Sequence, residues 1–236
     1  MNRYQTSPFS MPPVVKNLIL INVLMWIAKY PFMNMGIDLT EKLGLHYIGS
    51  PLFRPYQLVT HLFMHGDFFH LLFNMFALYM FGGILEQVWG TKRFLFYYLL
   101  TGVGAGIVQQ LFWTVEFNSA LTAMNHAIAT DLINAPALIE QKRLFLDSPA
   151  FITIGASGAV FGLLLAFWWL FPDYKLFVFP IPIPIKARIL IPIFALYELY
   201  SGYQMNPNDN VAHFAHLGGM LFGAILIFIW KKKKTL

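Results

Sequence analysis

There is no cysteine among the 236 residues, so the chain has no disulfide framework, no thiol nucleophile and no cysteine-based metal site. Charge is scarce as well. Sixteen Lys+Arg and 11 Asp+Glu make up 11% of the chain, against roughly 25% in an average soluble domain. A disordered chain needs the opposite composition and is excluded. The formal charge of +5 does not indicate a nucleic-acid partner, because four of the basic residues, Lys231 to Lys234, form one run directly after an apolar segment. That is the pattern of an anchor at a membrane flank. What the chain has in plenty is apolar surface: 58% hydrophobic residues and a mean hydropathy of +0.59. In lipid this length holds about six helices of ~20 residues. The chain reads as an all-α polytopic membrane protein.

Six segments are long enough to cross a bilayer. The first runs from about Val14 to Tyr30, is expected to stop at Pro31, and reads as a retained helix rather than a cleaved signal peptide. The second runs from Asp67, a natural N-cap, to Val88, before Gly90. The others cover about Phe94–Trp113, Gly155 to before Pro172, Lys186–Tyr203 after a proline-rich approach (Pro180, Pro182, Pro184), and Val211–Trp230. With both termini in the cytoplasm, 11 of the 16 basic residues fall on the inner flanks: Arg3, Lys16, Lys92, Arg93, Lys175, Lys186, Arg188 and the four C-terminal lysines. This satisfies the positive-inside rule. The expected organisation is a cytoplasmic tail at 1–13, a six-helix core at 14–230 and a basic cytoplasmic tail at 231–236. Two outer segments are long. Residues 36–66 include apolar Leu52, Phe53, Pro55 and Tyr56. Residues 113–149 carry Leu121, Met124, Ile128 and Leu132 at near-helical spacing, which predicts an amphipathic outer helix.

Polar residues on membrane helices are costly and usually face the bundle interior or water. Ser157 lies in Gly155-Ala156-Ser157-Gly158 at a helix start, where unpaired amides favour negative charge and small neighbours leave the hydroxyl accessible. A lone membrane serine often does no more than bond back to its own helix. His213 and His216 stand three apart; His213 reads as a satisfied polar residue near the outer surface, while His216 lies deeper, followed by Gly219 and Gly223. Gly158 and Gly162 make the same small-residue stripe beneath Ser157, so the two helices can approach closely. That would bring serine and histidine within hydrogen-bond reach, the requirement for general-base activation. His70 and Asn74 share a helix face and are either structural or donors to the oxygen of a tetrahedral intermediate. A metal reading would use His61, His65 and His70 with Asp67 nearby, but neither H-E-x-x-H nor cysteine supports it. No metal and no cofactor are expected. Glu198 is the one carboxylate to weigh for a transporter, which the lack of an inverted repeat disfavours.

These residues resemble the rhomboid family of intramembrane serine proteases. His70-x-x-x-Asn74 is similar to the family's second-helix motif, Gly82-x-x-x-Glu86-x-x-x-Gly90 to the glycine–glutamate–glycine pattern at that helix's inner end, Gly155-Ala156-Ser157-Gly158 to the fourth-helix G-x-S-G, and Ala215-His216-x-x-Gly219-x-x-x-Gly223 to the sixth-helix motif. The resemblance covers roughly residues 14–230 and implies a six-helix rhomboid-like bundle. It implies Ser157 as nucleophile and His216 as base, in a dyad without a third carboxylate. His70, Asn74 and the Ser157 amide would line an oxyanion hole. Phe161 would pack on the histidine; Gly155 and Gly219 would support the site; Glu86, Gly158 and Gly223 would be structural. Phe53-Arg54 stands where many members have Trp-Arg, and the 113–149 connection is long for the bacterial core. The expected activity is endoproteolysis of transmembrane protein substrates in a lipid bilayer, with a bacterial cytoplasmic membrane as the expected location. The alternative is a catalytically silent, rhomboid-like scaffold that binds client helices.

Overall fold

A computed structural model of the chain describes residues 11–148, 151–178, 181–204 and 211–233. Arg3, Pro149, Pro180 and Lys234, used in the sequence argument, lie outside the described residues, as does most of the 1–13 tail. Helix α1 (Pro13–Asn34) opens with a proline in its first turn, where no amide is needed. Its next two amides find the carboxylate of Glu86: Val14 N–H donates to Oε1 at 3.1 Å and Val15 N–H to Oε2 at 2.9 Å. The helix does not stop at Pro31. The proline ring holds a helical φ and forfeits one hydrogen bond near the end of the helix, so the helix continues to Asn34. It closes through Gly36, whose φ is +76° and whose amide bonds to the Met33 carbonyl at 2.9 Å.

The outer segment that follows is ordered by side-chain amides. It holds α2 (Leu39–Leu43), β1 (Leu45–His46), α3 (Gln57–Thr60) and one 3-10 turn, His61–Phe63. Buried Gln57 accepts from Arg54 N–H at 3.0 Å and donates to the Leu52 and Lys42 carbonyls at 3.1 and 3.3 Å. Gln110 bridges the same segment to the bundle, donating to His46 O at 2.6 Å and accepting from Ile48 N–H at 2.7 Å.

Asp67 caps the next helix by accepting from His70 N–H at 2.9 Å. This helix is α4 (Phe68–Ala77), which passes through a π-helical stretch, Leu78–Gly82, into α5 (Gly83–Trp89). Gly90, at φ +77°, breaks the chain before α6 (Thr91–Thr130). The expected third span ends at Trp113, yet α6 runs on for 40 residues, about 60 Å at 1.5 Å per residue, twice the ~30 Å hydrocarbon core. The spacing of Leu121, Met124 and Ile128 is therefore the continuation of α6, and the separate outer helix is α7 (Ala135–Leu146). An aromatic cluster holds the extension down. Phe117 packs on Phe151, Tyr47 and Phe145 at ring separations of 4.4, 5.2 and 5.2 Å.

Strand β2 (Ile152–Thr153) pairs antiparallel with β1, Leu45 opposite Thr153, and leads into α8 (Ser157–Leu170). The proline-rich approach forms a hairpin, β3 (Lys175–Val178) with β4 (Ile181–Lys186), before α9 (Ala187–Gln204) and α10 (His213–Lys232). Among the described residues four helices have the length and hydropathy to cross a membrane unaided: Pro13–Asn34, Phe68–Trp89, Thr91–Thr130 and His213–Lys232. The shorter, apolar α8 is packed among them. Large apolar residues outside the core, such as Leu20, Leu24, Phe73, Phe76, Leu196 and Phe228, are exposed, as lipid-facing surfaces require.

Helix α10 packs mainly on α6 and α8, and the contact is made by residues without bulk. A Cβ on Gly219 would collide with the Gly158 carbonyl, and one on Gly158 with the side chain of Ala105. A Cβ on Gly162 would stand 2.7 Å from Thr101 Cβ and one on Gly218 2.6 Å from Val108 Cβ. Tyr97, lying against Gly223, donates to the Gly162 carbonyl at 2.9 Å. Close backbone approach of this kind replaces the hydrophobic drive that lipid removes. Gly219→Ala is expected to cost about 3 kcal/mol, lowering the melting temperature by roughly 6–12 °C. Gly83→Ala, where an added Cβ meets nothing within 4 Å, should leave it within ~2 °C. Melting of the purified variants in detergent checks the pair; equal values would mean α8 and α10 are not in backbone contact.

Candidate active site

The chain enters α8 through a constrained loop. Gly155 adopts φ +120°, a conformation open to glycine, and a Cβ there would lie 2.6 Å from His70 Nε2. Its amide donates to the His61 carbonyl at 2.9 Å, and Ala156 N–H reaches His65 Nε2 at 3.5 Å. Together with the β1–β2 ladder these bonds set the direction in which Ser157 leaves the loop. Ser157 is the first residue of α8, so its amide and those just after it have no acceptor within the helix.

From α10, His216 meets this serine. His216 Nε2 lies 2.8 Å from Ser157 Oγ. The ring of Phe161, one turn along α8, stacks on the imidazole at 4.3 Å with an interplanar angle of 8°. The sequence placed no carboxylate here, yet His216 Nδ1 lies 2.8 Å from Glu198 Oε2, and His213 Nδ1 reaches the same oxygen at 2.6 Å. All three side chains are buried. The one trace in the sequence was a solitary acid in an apolar helix, which in lipid has to find a partner.

His70 stands on the other side of the serine. Its Nδ1 accepts from Gly66 N–H at 3.5 Å, which leaves the proton on Nε2, the nitrogen facing Gly155. Asn74 lies one turn below and donates through Nδ2 to the His70 carbonyl at 2.9 Å. His70 Nε2 thus lies beside Gly155 at the entry to Ser157, while Asn74 keeps a second N–H on Nδ2 besides the one bonded to the His70 carbonyl. Glu86 is remote from all of these. It joins the amides of α1 to Thr91, whose hydroxyl donates to Oε1 at 3.2 Å, a structural tie reaching further than the inner end of its own helix.

The histidines of the metal reading are otherwise engaged. His61 Nδ1 bonds to the Gln57 carbonyl at 2.8 Å and His65 Nε2 to the Ala156 amide. The one group among the described residues whose donor atoms cluster closely enough for a metal ion is Glu198, His213 and His216, within 4.8 Å of one another. There the carboxylate oxygen is already shared by two imidazole nitrogens.

The family model of the rhomboid domain matches residues 53–233. The chain belongs to the rhomboid family. It is 30% identical over 226 residues to Rhomboid-like protein 11, chloroplastic, of Arabidopsis thaliana, covering 91% of this chain and 64% of that protein. It is 24% identical to the Putative rhomboid protease YdcA of Bacillus subtilis, over 94% of this chain and 90% of the relative. It is 28% identical to Rhomboid protease AarA of Providencia stuartii, over 89% of this chain and 69% of the relative. The chain thus spans less than two thirds of the chloroplast relative and nearly all of the Bacillus one. As a rhomboid, with helices of this length and hydropathy, it is an integral, multi-pass membrane protein.

Two buried histidines of the outer segment before α4, His61 and His65, are expected to make the rhomboid core acid-sensitive. Burial pushes His61 down to about 4, and burial with the His70 and Lys29 charges pushes His65 down to about 3. Both values lie below the ordinary histidine value, so the unfolded chain takes up protons that the folded chain refuses. Their contribution to stability is full above about pH 6.5 and is lost as pH falls toward about 4. The melting temperature in detergent is expected to drop by several degrees between about pH 7 and about pH 4.5. His65→Gln should flatten the slope, whereas an unchanged slope would mean His65 is not held neutral.

Proposed function

We propose that this rhomboid is an active intramembrane serine endopeptidase that cleaves transmembrane segments of membrane proteins. The observation that carries the reading is the 2.8 Å contact between His216 Nε2 and Ser157 Oγ. A serine hydroxyl is a weak nucleophile until a base takes its proton, and here the base lies at hydrogen-bond distance while the serine amide is unspent at a helix start.

Ser157 Oγ attacks the carbonyl carbon of the scissile peptide as its proton passes to His216 Nε2. The oxygen of the tetrahedral intermediate takes hydrogen bonds from the Ser157 amide and His70 Nε2–H, with the second N–H of Asn74 Nδ2 available beside the one bonded to the His70 carbonyl. His216 then gives its proton to the leaving nitrogen. Water, deprotonated by the same histidine, releases the acyl group. No metal enters this sequence.

A peptide carbonyl inside a helix is already bonded and screened, so the substrate has to unwind near the site; glycine, proline and small residues ease this. Entry beside α9 fits the exposed Leu196, Tyr197, Leu199 and Tyr200 on that helix. Six spans with both termini in the cytoplasm, and a bacterial cytoplasmic membrane, complete the proposal, supported by the distribution of basic residues and by the Bacillus and Providencia relatives.

The test is labelling of the purified protein by a fluorophosphonate and cleavage of a transmembrane substrate in liposomes. Ser157→Ala is expected to abolish both and His216→Ala to slow both by at least about 1000-fold. Cleavage that persists in Ser157→Ala would leave the scaffold reading in place. Because His70 Nε2 lies beside Gly155 and one of the two Asn74 N–H groups is held by the His70 carbonyl, His70→Ala should cost about 100–1000-fold in kcat and Asn74→Ala less. The reverse order would put Asn74 in the oxyanion hole.

A further inference from the structure

We infer that Glu198 positions His216, so that the site works as a serine–histidine–glutamate triad; the inference rests on the Ser157–His216 reading above. Glu198 is buried at 6% exposure on a helix whose flanking Tyr197 and Leu199 are exposed. A carboxylate turned inward from a lipid-facing helix is retained only with partners. Its partners are two imidazole nitrogens, His216 Nδ1 at 2.8 Å and His213 Nδ1 at 2.6 Å, both on Oε2.

The shared oxygen dictates the tautomer. An ionised carboxylate can only accept, so His216 carries its proton on Nδ1 and presents the lone pair of Nε2 to Ser157, the form a general base requires. Phe161 alone does not secure this. A ring stacked at 8° remains stacked after a half-turn about its own long axis, which would swap Nε2 and Nδ1 for carbons. The in-plane bonds to Ser157 and Glu198 tell the two orientations apart, and of the two only the bond to the carboxylate also fixes the proton on Nδ1, because a hydroxyl can either donate or accept. His213, one turn earlier on α10, pins the carboxylate by taking the same oxygen. When Ser157 gives up its proton the imidazolium forms against the carboxylate, which stabilises it without accepting the proton.

Among the described residues the titratable groups facing His216 are Glu198 from α9, His213 from its own helix and His70 from α4. Ser157 and Phe161 on α8, and Ala105, Val108 and Phe112 on α6 where it meets this part of α10, add no ionising group in the working range. Glu198 is thus the single negative charge in the set among the described residues, and its removal should be readable in the pH profile.

The experiment compares wild type, Glu198→Gln, Glu198→Asp and Ser157→Ala as full-length protein in detergent. It measures fluorophosphonate labelling of Ser157 against pH, cleavage in liposomes and melting temperature. Glu198→Gln is expected to melt near wild type yet label about 30–1000-fold more slowly, with the acid limb of its rate profile moved to lower pH. Glu198→Asp should recover part of the rate. Wild-type labelling by a folded Glu198→Gln, with the acid limb unmoved, would overturn the inference; so would slower labelling with the limb unmoved, which a purely structural role predicts. Should Glu198→Gln fail to fold, nitrogen NMR of labelled histidines in the Ser157→Ala protein decides the matter. A proton on His216 Nδ1 supports the triad, and a proton on Nε2 overturns it. A dead Ser157→Ala beside a wild-type-like Glu198→Gln removes Glu198 alone, whereas a cleaving Ser157→Ala removes the reading beneath it.

Discussion

At Gly219 the backbone of α10 lies against the Gly158 carbonyl of α8 with no side chain between them. Everything at the site depends on this approach. Ser157 precedes Gly158 and His216 precedes Gly219 by one turn, so the separation of the two backbones fixes the separation of the two side chains. With larger residues at the crossing the helices would stand apart by the width of a methyl group or more, and a 2.8 Å hydrogen bond would open. Water would drive such helices together by burying apolar surface, but lipid does not. The contact is held instead by dense backbone packing and by bonds such as Tyr97 to the Gly162 carbonyl.

The second constraint is electrical. Serine, five histidines, an asparagine and a glutamate share a small volume of an otherwise apolar bundle, where polar groups are costly unless they satisfy one another. They do so in two sets. Glu198 gathers His213 and His216, while backbone amides and carbonyls of the outer loops gather His61, His65 and His70. The first set faces the serine hydroxyl, and the second holds the loop that aims it.

Much of this was legible in the chain itself. Glycine and alanine around Ser157 and His216 announced a close crossing, and the position of Asp67 announced a cap. The rest depended on distances along the chain that local pattern does not carry. Pro31 read as a terminator because a missing amide matters most in mid-helix, and here it falls near an end. Trp113 read as the edge of a membrane span, which it resembles in composition, although nothing at that point stops a helix; α6 continues because Phe117 finds aromatic partners beyond the lipid. Glu198 was visible as a lone acid, but its partners lie 15 and 18 residues away on another helix, a pairing that local pattern does not carry. The roles of His61 and His65 were not legible, because their partners are backbone groups of the loops, the Gln57 carbonyl and the Ala156 amide.

The π-helical stretch at Leu78–Gly82 bears on how one helix serves two masters. An uninterrupted α-helix advances 100° per residue, so the face that carries His70 and Asn74 would dictate where Glu86 points a dozen residues later. A π-turn holds one residue more than an α-turn and offsets the phase of everything below it. The outer half can therefore be clocked to the serine while the inner half is clocked independently to the amides of α1. The stretch acts as a vernier between two gears: deleting one residue from it would leave an unbroken helix that could mesh with the serine or with α1, but not with both.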